Sequence, residues 1–434
     1  MYKVFFITFG CKVSHYETEC IMGIFKRENF LISDREENSD VFVVNSCTVT
    51  GSGDSKSLYA VRKLRRNYPD SVIVLTGCLP QASPESAQKC LEADIITGTK
   101  EREKLPELVK QALAEKNHIV DIPEYSSGDG FEDISNSGYS EKTRAFLKIQ
   151  DGCNCLCSYC IIPYARGRCR SKPLDSLIKE AELLAQTGHK EIVLVGINLA
   201  FYGQEYGIRL VDAVEVCCKI EGIERVRLGS LEPEMISDND LVRLSQLPEF
   251  CPQFHLSLQS GSKNILRQMN RKYSPEEYLD IVNKIRYFFP AAAFTTDVMV
   301  GFPGESEEEF VESMEFVEKV GFAKIHVFQY SPRKGTPASK FSGQIPKKIK
   351  AERADRMKAL GEKLQKNYLQ KLVGKTVPVL FERENSTDFH QGHSPDHTLI
   401  KISRKNSKKS LRNQIFYVII EESHDDYCLG KILE

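Results

Sequence analysis

Four of the ten residues Asp151-Gly-Cys-Asn-Cys-Leu-Cys-Ser-Tyr-Cys160 are cysteines. Cys153, Cys157 and Cys160 follow a C-x3-C-x2-C spacing, which suits an iron–sulfur cluster held by three thiolates on a tight loop, one iron lacking a protein ligand. An open iron is a place for a substrate or cofactor to bind, so the loop reads as catalytic rather than as an electron wire. A zinc knuckle fits less well. Structural zinc takes four closed ligands, usually two separated pairs, and no further His or Cys pair follows nearby.

Three more cysteines stand where a fold would gather them. Tyr2–Phe9 is a strand candidate running into Gly10-Cys11, Asp40–Asn45 a second running into Ser46-Cys47, and Ser71–Thr76 a third running into Gly77-Cys78. Helical stretches at 16–28 and 54–67 lie between them. Strand alternating with helix argues for a small parallel α/β sheet over residues 1–120. In such a sheet the strand C-termini share one edge, where ligands bind. Cys11, Cys47 and Cys78 are therefore expected to converge, again as three thiolates. Coincidental buried thiols are the alternative, and three repeats of the same placement argue against it.

Both cysteine groups carry a resemblance. The central loop, with Tyr159 before its last cysteine, resembles the radical S-adenosylmethionine (SAM) enzymes, and Ile161-Ile-Pro-Tyr-Ala-Arg-Gly-Arg168 resembles their methylthiotransferase branch. Gly10-Cys11-Lys12-Val13-Ser14-His15-Tyr16-Glu17, Asn45-Ser46-Cys47-Thr48 and Thr76-Gly77-Cys78 resemble the N-terminal domain of that family. Lys12-Val13 is similar to the MtaB branch, which modifies threonylcarbamoyladenosine in tRNA. The branch acting on isopentenyladenosine usually has Gln-Met there, and the one acting on a ribosomal protein Pro-Lys. Ser14 departs from the Asn usual in all three. Cys155 stands where Asn is common and reads as a non-ligand, since a fourth thiolate would close the open iron.

The resemblance implies two [4Fe–4S] clusters and SAM. The cluster on Cys153, Cys157 and Cys160 would bind SAM and cleave it to a 5′-deoxyadenosyl radical; the one on Cys11, Cys47 and Cys78 would be the site of sulfur insertion. One SAM would provide the methyl group and another the radical. The implied substrate is N6-threonylcarbamoyladenosine at position 37, in the tRNA anticodon loop, converted to its 2-methylthio form. An electron donor such as a flavodoxin or ferredoxin is implied as a partner. The rivals are the same chemistry on isopentenyladenosine tRNA or a ribosomal protein, a non-catalytic RNA-binding iron–sulfur sensor, and a two-cluster electron carrier.

The elements that must position these residues follow from pattern. With 434 residues the chain should hold two to four domains. A 27% charged content and a net charge of −1 confine any polyanion site to a local patch. No long apolar run is present, and Met1–Ile7 reads as the start of a strand, so a cytoplasmic protein with no membrane partner is expected. Fourteen cysteines in such a chain point to metal or redox chemistry. Of these, Cys20, Cys90, Cys217, Cys218, Cys251 and Cys428 are expected to pack in cores.

Residues 121–141 are polar and glycine-rich and read as a linker. From 142 to 370 the pattern is βαβα, with strands at 143–150, 191–196, 224–229, 253–258, 293–300 and 324–328. Helices are expected at 174–187, 210–220, 238–246, 275–287 and 306–320. Six strands suggest a partial (β/α)6 barrel with its site at the strand C-termini. Gly196, Asn198, Ser230, Glu232, Gln259, Asp297 and Gly301-Phe302-Pro303-Gly304 gather at those ends, and the resemblance implies that they hold SAM, with Tyr159.

A charged helix at 347–372 reads as a covering element. Residues 371–434 then give four short strands, 376–382, 397–403, 414–420 and 428–433. They suggest a small antiparallel β-barrel similar to the TRAM domain, an OB-like RNA-binding module. Lys401, Arg404, Lys405, Lys408, Lys409 and Arg412 form its positive cluster, a candidate phosphate contact.

Overall fold

The computed structural model describes residues 1–135, 143–382, 388–404 and 409–433, apart from the Met235 side chain. Residues 1–121 form a six-stranded, wholly parallel sheet of β1 (Lys3–Thr8), β2 (Leu31–Ile32), β3 (Val41–Ser46), β4 (Val72–Gly77), β5 (Ile95–Thr97) and β6 (Ile119–Asp121), ordered β2-β1-β3-β4-β5-β6. β3 and β4 are buried at every position, as their unbroken apolar runs require of central parallel strands. Helices α1 (Lys12–Arg27), α2 (Gly51–Asn67), α3 (Cys78–Ala82), α4 (Pro84–Ala87) and α5 (Leu105–Glu115) link the strands. Thr50 caps α2 by accepting from Gly53 N at 3.2 Å.

The expected linker is not featureless. Ile134 is 7% exposed and joins the central core, and Asp133 pairs with Lys172. The Phe131 ring receives the Lys148 and Lys172 ammonium groups at 5.5 and 5.7 Å. Residues 121–135 thus form a strap between the two domains; the rest of the expected linker lies outside the described residues.

The central domain opens with β7 (Arg144–Lys148), β8 (Gln150–Asp151), α6 (Ile162–Arg166), β9 (Arg170–Ser171) and α7 (Leu174–Gln186). It continues through β10 (Glu191–Val195), α8 (Leu210–Cys218), β11 (Arg225–Leu228), β12 (Ser230–Leu231), α9 (Asp238–Ser245), β13 (Gln253–Leu256), α10 (Lys263–Gln268), α11 (Pro275–Phe288), β14 (Ala293–Val300), α12 (Glu307–Val320) and β15 (Lys324–Gln329). The barrel strands pair in parallel in two runs, β11-β10-β7 and β12-β13-β14-β15, bridged by Val226 and Phe250. β7 and β15 edge the opening of this partial barrel. Ser237, Ser274 and Ser306 form capping boxes that start α9, α11 and α12. The first turn of α1 reaches into the barrel, where Val13 packs with Phe146, Val193 and Val195.

Helix α13 (Lys347–Gln370) covers β14 and β15 and leads to a closed barrel of β16 (Thr376–Phe381), β17 (Phe389–His393), β18 (Leu399–Ser403), β19 (Ile415–Ser423) and β20 (Cys428–Ile432). This is the expected small C-terminal β-barrel, with one strand more than the four expected and one parallel pair. β17 is a fifth strand, and β18 pairs with β20 in parallel, because five strands cannot alternate direction around a closed ring. Arg225 Nη1 and Nη2 donate to the His393 and Pro378 carbonyls at 2.8 and 2.9 Å, and Arg227 Nη1 to that of Pro395 at 2.7 Å, which docks this barrel on the central one. The six cysteines expected in cores are all buried. No helix of the described residues is long and apolar enough to cross a membrane.

Candidate two-centre active site

Because β1, β3 and β4 are parallel neighbours, the residues after them meet at one edge. Cys11 precedes α1 as its N-cap, Cys47 follows β3 directly, and Cys78 is the first residue of α3. A side chain on Gly10, at φ +118°, would come within 3.1 Å of Cys47 Cβ, so glycine lets these turns close on each other. Ser46 Oγ donates to the Thr76 carbonyl at 2.6 Å and accepts from Leu79 N at 3.2 Å, tying the second turn to the third. Cys11 lies near enough to act electrostatically on both Cys47 and Cys78. Burial raises the Cys47 thiol and pushes Cys78 up to about 11, even with the Arg166 guanidinium beside it.

The second group sits on a loop pinched at its base, where β8 pairs antiparallel with β9. Gly152, at φ +71°, lies where any Cβ would collide with the Arg168 carbonyl oxygen. Ser158 N and Oγ donate to the Met269 and Gln268 carbonyls at 3.0 and 2.8 Å, and Asn270 Nδ2 to that of Leu156 at 2.7 Å, holding the loop on the segment after α10. The sulfurs face hydrogen-bond donors: Cys155 N reaches Cys153 Sγ at 3.4 Å, Asn198 Nδ2 reaches it at 3.7 Å, and Arg271 Nη1 reaches Cys157 Sγ at 3.4 Å. Hydrogen bonding from the Cys155 side chain brings the Cys153 thiol down to about 7 against its burial, while burial pushes Cys160 up to about 12. The Cys155 backbone is thus a donor to Cys153. Among the described residues no three His, Cys, Asp or Glu side chains close on one point as a single ion requires. A four-iron cube binds thiolates at separate corners, and donors aimed at sulfur suit such an anionic group.

Several expected cofactor residues meet this loop. Asn198 touches Cys153 and Cys155; Glu232 pairs with Arg271 beside Cys157, and burial raises its carboxyl. Tyr159 packs with Phe302, so the Gly301–Gly304 turn, including Pro303, adjoins the loop. Gln259 bridges to β14 at φ +66°, its N donating to the Asp297 carbonyl at 2.9 Å. Gly196, Ser230 and Asp297 instead line a cavity of about 660 Å³ with Cys11 and Lys12 of the first domain and His393 and His397 of the C-terminal barrel. Of the expected RNA contacts, Lys401 lies on β18 with its ammonium 3.6 Å from the Tyr427 ring centroid. Arg404, Lys409 and Arg412 follow in the connection to β19, and Lys405 and Lys408 lie outside the described residues.

Arg271 carries no signal in the sequence, and Arg166 was visible only as part of a motif. Arg166 is fully buried, with Nε and Nη2 each 3.3 Å from Cys78 Sγ and Nη2 2.9 Å from Glu17 Oε2. Glu17 also takes Lys148 at 2.7 Å and Arg102 at 2.9 Å, and Lys148 takes Asp151 at 2.6 Å. Burial would raise the Glu17 carboxyl, but these cations hold it well below the usual carboxylate range. This network links the cysteine edge of the first domain to the base of the loop of the second.

Comparison with known proteins gives a consistent picture. The radical SAM superfamily model matches residues 147–317, and that of uncharacterized protein family UPF0004 matches residues 3–98. The threonylcarbamoyladenosine tRNA methylthiotransferase MtaB of Bacillus subtilis (strain 168) is 39% identical over 385 residues, 88% of this chain and 85% of that protein. The protein of the same name from Aquifex aeolicus (strain VF5) is 38% identical, over 88% of this chain and 93% of that one. A tRNA-2-methylthio-N(6)-dimethylallyladenosine synthase of Caldicellulosiruptor saccharolyticus is 36% identical, over 87% and 81%. The radical SAM methyltransferase TsrM from Kitasatospora setae shares the fold, with TM-score 0.58 at 14% identity over 78% of this chain and 74% of that one.

Proposed function

The chain belongs to the radical SAM methylthiotransferases that act on tRNA, a membership that implies SAM and a [4Fe–4S] cluster, and from that premise we propose that it methylthiolates C2 of N6-threonylcarbamoyladenosine at position 37. In this reading Cys153, Cys157 and Cys160 hold the cluster that binds SAM, and Cys11, Cys47 and Cys78 hold a second one. The bound groups would supply one-electron chemistry on SAM and the sulfur to be inserted. The observation that carries the reading is that Cys11 and the expected cofactor residues Gly196, Ser230 and Asp297 border one cavity.

The chain's own residues do the rest. Asn198 and Arg271 donate toward sulfur on the loop, and Arg166 toward Cys78, which favours negative charge at both places. Val13, Phe146, Val193 and Val195 keep the barrel interior beside Cys11 apolar and exclude water. The base must leave its stack to reach this interior, and the C-terminal barrel, with Lys401, Arg404, Lys409 and Arg412, is the proposed hold on the RNA. A flavodoxin or ferredoxin is the proposed electron source. The test is mass spectrometry of tRNA nucleosides from cells lacking the protein. We expect loss of the 2-methylthio form of threonylcarbamoyladenosine, restored by wild type but not by Cys153→Ala or Cys11→Ala. Loss of 2-methylthio-dimethylallyladenosine in its place would overturn the substrate. Iron binding without SAM consumption would point to the sensor instead.

A further inference from the structure

The cavity that joins the three domains is lined by Lys12 and Lys324 against Asp297, Asp396 and Asp426, and only the wall around Lys12 is positive. Lys12 lines it next to Cys11, and its ammonium has no hydrogen bond or ion pair with any described residue. The Arg227 and Arg144 guanidinium groups lie close enough to act on it. The acids beside these guanidinium groups are already engaged. Glu191 takes Arg227 at 2.9 Å and Arg225 at 3.8 Å, and Glu382 takes Arg144 at 3.1 Å and His393 at 2.8 Å. Behind the lining, Arg144, Arg225 and Arg227 therefore stand against two carboxylates, which leaves the surroundings of Lys12 positive on that side. Across the cavity Asp297 faces His255 at 3.5 Å, Asp396 accepts from Tyr368 and Thr398 at 2.6 and 2.8 Å, and Asp426 also lines it; none of the three is within ion-pair distance of Lys12.

Such a wall suits an anion and opposes an apolar group. Taking an unpaired ammonium out of water against an alkenyl chain forfeits its hydration and returns nothing. A carboxylate at the same place gains a charge-assisted hydrogen bond. The two tRNA substituents named for the relatives differ in this respect: a threonylcarbamoyl group ends in a free carboxylate, and a dimethylallyl group is a hydrocarbon. We propose that Lys12 binds the carboxylate of the N6 substituent and is the residue by which this cavity selects an acid-bearing adenosine over an apolar one. The inference rests on the substrate reading above and assigns a residue to it. The same chemistry could come from a phosphate of the RNA backbone, and the experiment separates the two.

Enzyme reconstituted with iron and sulfide is titrated with three anticodon stem-loops, alike except that the N6 group is threonylcarbamoyl, its carboxyl methyl ester or dimethylallyl. Dissociation constants come from fluorescence anisotropy, with turnover measured alongside. Wild type is expected to bind the acid roughly ten- to a hundredfold more tightly than the ester. Lys12→Gln is expected to erase that ratio by weakening the acid alone, and Lys12→Arg to keep it. The acid-against-ester comparison needs no substitution, so it stands even where Lys12→Gln disturbs the neighbouring Cys11. Equal affinity of wild type for acid and ester overturns the carboxylate site, and equal weakening of both by Lys12→Gln reassigns the residue to a phosphate. Turnover of the dimethylallyl stem-loop alone sinks the substrate reading, whereas turnover of the threonylcarbamoyl one with no change in Lys12→Gln sinks only the role of Lys12.

Discussion

Replacing Arg166 by methionine tests the joint between the two cysteine-bearing domains. The side chain is 0% exposed, and methionine retains much of its stem, so the cost should be electrostatic rather than a cavity. The guanidinium forks onto Glu17, lies 3.4 Å from Asp151 Oδ1 and directs two N–H groups at Cys78. Removing one partner of a buried pair costs about 3–5 kcal/mol. Glu17 keeps Arg102 and Lys148, which places the expected loss near the lower bound, about 3 kcal/mol. In a double-mutant cycle with Glu17→Gln, the two losses should fall short of additive by about 2 kcal/mol. Denaturant unfolding gives the global figure. Hydrogen exchange at the amides of α3 and α6 reports the joint itself, and remains valid where a multidomain chain does not unfold in one step. A loss below about 1 kcal/mol for Arg166→Met, or strict additivity with Glu17→Gln, would refute the reasoning, because either would mean the pair is solvated and uncoupled.

Iron content would separate the proposed ligand cysteines from Cys155. Alanine at Cys153, Cys157 or Cys160 should lower a fully reconstituted chain from about eight to about four irons, while Cys155→Ser should leave iron unchanged, and colorimetric iron and sulfide assays read both. Glu191 supplies a pH prediction. Burial would raise its carboxyl, but Arg227 foremost, with Arg144 and Arg225, holds it below the usual value. Its contribution is then complete above the unfolded pKa of about 4.3 and is lost as pH falls through the lower folded value. Glu191→Gln should therefore lower Tm at pH 7, with the gap to wild type narrowing below about pH 4.3; a gap constant from pH 7 to 3 would contradict it.

Much of this architecture is written in local pattern. β3 and β4 are continuous apolar runs ended by small polar residues, and the barrel elements fall close to the positions that the alternation of strand and helix predicts. The edge bearing Cys11, Cys47 and Cys78 could be anticipated because it needs only three strand ends and parallel order. β17 escaped because Phe-His-Gln-Gly-His does not look like a strand; it buries His390 and Gly392, and glycine is there because any Cβ would strike the Leu380 carbonyl. The strap over 121–135 escaped for a related reason. Its anchors Tyr125, Phe131 and Ile134 follow no period, and each is held by residues of other segments rather than by its own neighbours. Charge was the least legible feature. Nothing local marks Glu17 and Arg166 as partners, and what buries them is a pairing across 149 positions.

That pairing bears on how two distant cysteine groups are held at a fixed separation. Apolar surfaces can slide over one another at small cost, whereas a guanidinium fork on a carboxylate has one geometry. Displacing the first domain by a single residue would strand Arg166 among buried groups, a penalty of about 3–5 kcal/mol. Arg166 lies on the short helix that follows Cys160 directly, and its guanidinium reaches Cys78. One short helix therefore connects a cysteine of the second group to a cysteine of the first. Thr99 supports the same helix from the first domain, its hydroxyl donating to the Ala165 carbonyl at 2.8 Å and meeting the Tyr125 hydroxyl of the strap at 2.8 Å. Loosening either contact should disturb the separation of the two groups before it disturbs either group alone. A variant at Thr99, which touches neither cysteine group, would then retain iron at both places while losing turnover.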